Sequence, residues 1–179
     1  MRIPSAAILT VLLVPSLAWA GVKDKDNDGP TSAGTIDVRG GINLDLDKTI
    51  NLGGDSDGSE IGGGINVGVG YFVIDNLAID NEVRVTFQFA PKFDVTRLEW
   101  IPGLRFHPLP QFFVRVGTPV VVIPEFGFGV LAGAGYRQPL GKKAAFVIQV
   151  DYTYWLTEFY RQAAPNGQLQ VSAGVQTSF

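Results

Sequence analysis

The chain has 179 residues, 14 Lys+Arg against 17 Asp+Glu, a formal net charge of −3 and no cysteine. This mildly acidic balance argues against a nucleic-acid partner, which calls for a basic surface. The absence of cysteine excludes a disulfide framework, so packing and hydrogen bonding must hold the fold.

The opening stretch MRIPSAAILTVLLVPSLAWA carries one basic residue, Arg2, an apolar run from Ala6 to Val14, and then Ala18-Trp19-Ala20. This is the pattern of a cleaved secretory signal, with cleavage expected after Ala20. The apolar run is too short for a helical anchor, which needs roughly 20 residues. No cysteine follows, so no lipid anchor is expected. Cleavage would leave 13 Lys+Arg against 17 Asp+Glu, a net charge of −4.

Residues 21–34, GVKDKDNDGPTSAG, are charged and rich in turn formers, and read as a flexible acidic tail. Asp24, Asp26, Asp28 and Gly29 match the start of a calcium loop. Its twelfth position would be Thr35, however, where a bidentate Glu is required. A solvated tail is the simpler reading.

From Thr35 onward one pattern repeats. Segments alternate between two faces and are separated by Gly, Pro, Asp and Asn clusters, the signature of strands and turns. Eight are expected, at about 35–46, 60–73, 77–89, 95–107, 111–118, 126–137, 143–156 and 168–179. The fifth is the weak point, because Pro119 and Pro124 interrupt a ladder. One face is apolar, as in Ile61, Ile65, Val67, Val69 and Tyr71. The other carries glycines, amides and charges, as in Gly62, Gly64, Asn66, Gly68 and Gly70.

Alternation alone does not say which face points inward. A soluble barrel buries the apolar face, whereas a membrane barrel turns it to lipid around a polar lumen. Three features favour the membrane barrel. All six lysines beyond residue 20 (Lys23, Lys25, Lys48, Lys92, Lys142, Lys143) lie in the tail, loops or turns, while the strands use arginine at 39, 84, 97, 105, 115 and 137. Confined opposed charges favour the planar guanidinium, which pairs bidentately with carboxylates. Glycine on the polar face makes room for those arginines in a narrow barrel.

The aromatic residues supply the third feature, because they sort by depth. With the first strand running outward, Tyr71, Phe106, Phe112, Tyr136 and Phe179 fall at periplasmic ends. Phe87, Phe89, Phe126, Phe128, Tyr154 and Trp155 fall near outer ends, giving two interfacial belts; Trp100 lies nearer mid-depth. Short connections at 74–76, 108–110 and 139–143 would face the periplasm, and longer ones at 47–59 and 157–168 the outside. The expected fold is all-β: an eight-stranded antiparallel up-and-down transmembrane barrel over residues 35–179. An open edge is not tolerated in lipid, so the last strand must pair with the first.

The chain resembles the small eight-stranded outer-membrane barrels of the OmpA/OmpX type, the outer membrane protein beta-barrel domain family. GVGYFVIDNLAIDNEV looks especially like that family's second strand, tight turn and third strand. The resemblance implies residence in the cell outer membrane, contact with its lipids and lipopolysaccharide, and assembly by the barrel-assembly machinery. It also implies that Val171, Ala173, Val175 and Phe179 form the assembly signal read by that machinery.

Such barrels serve as scaffolds, adhesins, enzymes and pores. Their lipid A deacylases and palmitoyl transferases work with histidine near the outer rim. Here the one histidine, His107, precedes Pro108 at an expected periplasmic turn. No enzyme activity, cofactor or metal site is therefore expected. Eight strands leave an interior filled by side chains. Asp80, Glu82, Arg84, Glu99, Arg105, Arg115 and Asp151 are expected to form a buried polar network that plugs it. Distance from the shared turn suggests the pairs Glu82–Arg105 and Arg84–Glu99.

The expected role is structural or surface-interacting, as a monomer acting through its outer loops. Asp47, Asp55 and Asp57 are candidates for bridging lipopolysaccharide phosphates through divalent cations. A narrow pore or a soluble lipocalin-like periplasmic carrier is the alternative, and a lipid-modifying enzyme the weakest reading.

Overall fold

Alternating apolar and polar side chains favour extended backbone with two distinct faces, and the computed structural model realises this along the chain. It describes residues 30–45, 62–88, 94–164 and 167–179. The signal-peptide segment, the calcium-like motif at 24–29 and the loop carrying Asp47, Asp55 and Asp57 lie outside the described residues. The strands are β1 (Ile36–Asp45), β2 (Gly62–Ile74), β3 (Leu77–Gln88), β4 (Asp94–Leu109), β5 (Phe112–Gly117), β6 (Val120–Ile123), β7 (Gly127–Pro139), β8 (Ala144–Trp155) and β9 (Gln168–Ser178). A short helix, α1 (Glu158–Ala163), lies between β8 and β9.

Every pairing is antiparallel between neighbours, and β9 returns to β1, which closes the sheet. The seam runs from Asp37↔Ser178 to Asp45↔Gln170. It is finished at the end by Ile36 N–H donating to the Phe179 carbonyl at 3.2 Å and Phe179 N–H donating to the Ile36 carbonyl at 2.8 Å. The fifth stave is broken, as the prolines required. It stops at Gly117 and resumes at Val120, and both pieces pair with β4 on one side and β7 on the other. Pro119 has no N–H to donate, but its carbonyl accepts from Gly129 N–H at 3.0 Å. The nine strand segments therefore build eight staves.

Short turns gather at one end of the barrel, which also holds the start of β1 and the end of β9. At the β2–β3 turn Asn76 adopts φ 67°, a left-handed conformation that asparagine tolerates. Residues 31–34, expected to belong to the tail, are tied to this turn. Asn76 N–H donates to the Thr31 carbonyl at 2.8 Å, and Ala33 N–H to Asp75 Oδ1 at 2.9 Å.

Orientation of the faces is unambiguous. The outer face exposes Ile42 at 63%, Val67 and Val116 at 55% and Val130 at 52%, while Arg105 and Asp37 inside are at 0%. This is the inside-out arrangement of a membrane barrel, and it leaves no apolar interior for a lipocalin-like carrier. Tyr71, Phe106, Phe112, Tyr136 and Phe179 ring the turn end on the outer face, and Phe126, Phe128 and Tyr154 the loop end. Trp155 corrects the expectation of an outer belt position: it is buried and points into the barrel. Its parity along β8 matches Asp151 and Thr153, not Tyr152 and Tyr154.

Placing a charge on the outer face should block folding into lipid. Val67→Arg, near the middle of β2, is expected to cost about 2–4 kcal/mol, read as a lower urea midpoint in phospholipid vesicles and loss of the heat-modifiable band. Val67→Thr should fold nearly as well as the parent chain.

Candidate functional site: a charged lumen stoppered at both ends

Closing the sheet folds the polar face into a narrow interior, where arginines and carboxylates from six staves meet. Asp80, Glu82, Arg84, Glu99, Arg105, Arg115 and Asp151 are all buried there, at 4% exposure or less. Asp37 and Arg39 of β1 and Arg137 of β7 are buried with them. Arg97 stands at 13% at the loop end.

The pairing differs from the expectation. Glu82 accepts from Arg84 Nε at 2.5 Å and from Arg115 Nη1 at 2.6 Å, and does not take Arg105 as its partner. Arg105 donates to Asp37. Arg84 reaches Asp151 and the Gln170 side chain across the lumen, although Glu99 is its direct neighbour in register. Glu99 is bridged by Arg97 Nε at 2.6 Å. Arg39 Nη2 lies 2.5 Å from Asp80 Oδ1.

Distance from a shared hairpin turn revealed only neighbours on that hairpin. In a barrel this narrow, a long guanidinium reaches the opposite wall as easily as the next strand. Asp37, Arg39 and Arg97 were missed as members of the network. For Asp37 and Arg39, inward parity opposite Gly70 and Gly68 was the signal that would have found them; for Arg97 it was parity with Glu99 alone.

Amides join the network. Gln149 Nε2 donates to Asp151 Oδ2 at 2.7 Å and Gln176 Nε2 to Asp37 Oδ2 at 3.2 Å. Glycine makes the room. A Cβ at Gly70 would meet Arg105 Nη2 and the Asp37 carboxylate, so a larger residue there would push this ion pair aside.

Aromatic layers close the lumen above and below the charges. At the turn end His107 lies between Phe72 and Phe113, with ring centroids 5.6 and 5.4 Å away. The Arg105 guanidinium sits 5.7 Å from the centroids of both phenylalanines, a cation–π geometry that couples this layer to the ion pairs. His107 is thus a packed element of a plug, remote from the loop rim where lipid chemistry would take place.

At the loop end Trp155, Val121 and Tyr160 form a buried cluster. Tyr160 arrives on α1, in the connection expected to be a plain loop. Its ring stacks 4.9 Å from Trp155, and its hydroxyl donates to the Glu125 carbonyl at 2.8 Å. Gly127 lies under this ring, where a Cβ would collide with it. Burial pushes the Tyr160 phenol above the ordinary tyrosine value, so it enters the mouth as a neutral group.

A closed antiparallel barrel with an apolar exterior and a charged, plugged interior defines the class: this is an outer-membrane-type transmembrane β-barrel. The crystal structure of the outer membrane protein OprG from Pseudomonas aeruginosa shares the fold, with a TM-score of 0.51 and 12% identity over 85% of this chain and 99% of that one. The solid-state NMR structure of outer membrane protein AlkL in DMPC bilayers gives a TM-score of 0.49 at 14% identity, covering 88% of this chain and 95% of that one. The Yersinia pestis outer membrane protein Ail in a phospholipid nanodisc gives 0.48 at 12% identity, covering 82% and 99%. No protein-family model and no curated protein matches the chain.

Glu82 accepts from two arginines within 2.6 Å, so its removal tests the network. Glu82→Leu should cost on the order of 3–5 kcal/mol, because Arg115 loses its close counter-charge and Arg84 one of its two in a desolvated interior. Equilibrium urea unfolding in detergent measures this. Adding Arg115→Met should recover part of the loss, giving a non-additive double-mutant cycle.

Proposed function

We propose that this chain resides in the cell outer membrane as a non-conducting barrel. Its role is structural or surface-interacting, carried by the loop end, with the turn end facing the periplasm. The observation that supports this is the layered filling of the lumen: an aromatic layer at Phe72, His107 and Phe113, ion pairs through the middle, and Tyr160 on Trp155 in the mouth.

A hydrated ion would have to displace paired charges through the middle of the lumen, and each displaced partner would be left buried and uncompensated. Eight staves also give a wall whose side chains meet across the interior. Catalysis is not part of this reading, because the sole histidine is committed to the turn-end plug. Lipid and lipopolysaccharide are the partners proposed for the outer face and the loop rim. The assembly machinery is the proposed reader of Val171, Ala173, Val175 and Phe179, whose side chains follow one another on the outer face of β9.

Purified barrel in a planar bilayer should give no stepwise conductance. Stripping the interior with Glu82→Ala, Arg84→Ala and Tyr160→Ala together should open steps in any variant that still shows a heat-modifiable band. Steps from the parent chain that change size with Arg84→Ala would overturn the plugged reading and establish a narrow pore. Phe179 deletion should lower the amount of folded barrel recovered in outer membranes while leaving in vitro refolding intact.

A further inference from the structure

The ion pairs can be matched one to one. Arg39 goes to Asp80, Arg84 to Asp151, Arg97 to Glu99, Arg105 to Asp37 and Arg115 to Glu82. Every lumen carboxylate with a described side chain is then used. Arg137 remains, 2% exposed, with no carboxylate within 4.0 Å among the described residues. A buried guanidinium without counter-charge is strongly disfavoured, so such groups are paired or hold a ligand.

Arg137 does not stand alone. It lies two residues beyond Gly135, which pairs in register with Phe113. A Cβ at Gly135 would overlap the Phe113 ring, so that ring lies directly on the β7 backbone just below Arg137. The same ring is 5.4 Å from His107 and 5.7 Å from the Arg105 guanidinium. Buried polar atoms that lack any hydrogen-bond partner gather at this level: Arg137 Nε, Arg105 Nε and Nη1, both ring nitrogens of His107, and, opposing them, Asp37 Oδ1. Arg105 and His107 are at 0% and 1% exposure. Three buried side chains therefore bring unused N–H donors and two positive charges into one layer at the turn end. Asp37 and Asp80 oppose them, with Asp80 Oδ1 3.8 Å from Arg105 Nη2, but Asp80 is already matched by Arg39 and Arg105 occupies one oxygen of Asp37.

We infer that this layer is an anion site, and that Arg137, with Arg105 and His107, holds a small inorganic anion of the chloride class inside the turn end of the barrel. The anion supplies the missing counter-charge and accepts the free N–H groups. Burial of all three side chains favours a small desolvated ion over a phospholipid headgroup, which would have to bring its ester chains with it. The inference goes beyond a passive plug, because it makes the closure of the turn end dependent on an ion drawn from solution.

The test uses the full mature barrel refolded in an uncharged detergent without lipid. Urea midpoints are measured as chloride replaces gluconate at constant ionic strength. A ligand that binds only the folded state raises the midpoint with each tenfold increase in its concentration above Kd. The parent chain should show this rise, and Arg137→Gln should abolish it. Lys142→Gln removes the same charge from an exposed turn and should leave the rise intact.

Bromide in place of chloride should give an anomalous scattering peak beside Arg137 in crystals of the parent barrel. A midpoint indifferent to chloride would overturn the site, as would an equal rise in Arg137→Gln. Stabilisation that appears only after phospholipid is added would also overturn it, in favour of a headgroup phosphate. Should Arg137→Gln fail to refold, the bromide peak in the parent barrel decides alone: its presence upholds the site and its absence sinks it.

Discussion

The structure depends on one constraint: a sheet in hydrocarbon cannot leave a strand edge unpaired. Each unsatisfied backbone group there costs several kcal/mol, so the ladder must close on itself. The seam between β1 and β9 meets this requirement over nine residue pairs, from Asp37↔Ser178 to Asp45↔Gln170. Everything else follows from closure. The alternating pattern, wrapped into a cylinder, sends one face to lipid and traps the other. The trapped face then has no solvent to screen its charges, so they must find each other.

The interior solves that problem with guanidinium chemistry. Arginine offers several donors in a flat fork, and each one in the matched set reaches a carboxylate, often together with an amide or a second acid. Arg84, for example, touches Glu82 on its own strand, Asp151 on β8 and Gln170 on β9, tying three staves through one side chain. Such pairs are not a large net source of stability, because desolvation offsets much of the attraction. Their effect is to fix which residues face which, and to make the lumen a solid. The aromatic layers complete this at either end, where Phe72, His107 and Phe113 close one mouth and Trp155 with Tyr160 the other.

The two ends differ in how they are built. At the turn end the plug comes from strand residues, backed by hydrogen bonds from residues 31–34 to the β2–β3 turn. At the loop end it comes from a six-residue helix inserted between β8 and β9, which lowers Tyr160 onto Trp155 over a glycine. Strand-borne plugs move only with the barrel. The helix is attached through the Tyr160 hydroxyl and ring contacts, so the loop end holds the less deeply embedded stopper.

Much of this was legible in the sequence. Period-two alternation located the staves, the restriction of lysine to turns and loops marked the polar face as confined, and Pro119 announced the break in the fifth stave. Those are local signals, set by residue type and spacing. What the sequence could not show was which partner each charge takes, because Arg84 and Asp151 are 67 residues apart and meet only after closure. The inward turn of Trp155 was legible in its parity with Asp151 and Thr153, but not the surface it packs on, which Tyr160 supplies from α1. The sequence by itself determined the staves and, through lysine confined to turns, glycine on the polar face and aromatics sorted by depth, favoured an apolar face turned to lipid, where an open edge is not tolerated. Only the tertiary structure decided the pairing of charges and the surplus of Arg137, since those depend on distances across the lumen that no linear spacing records.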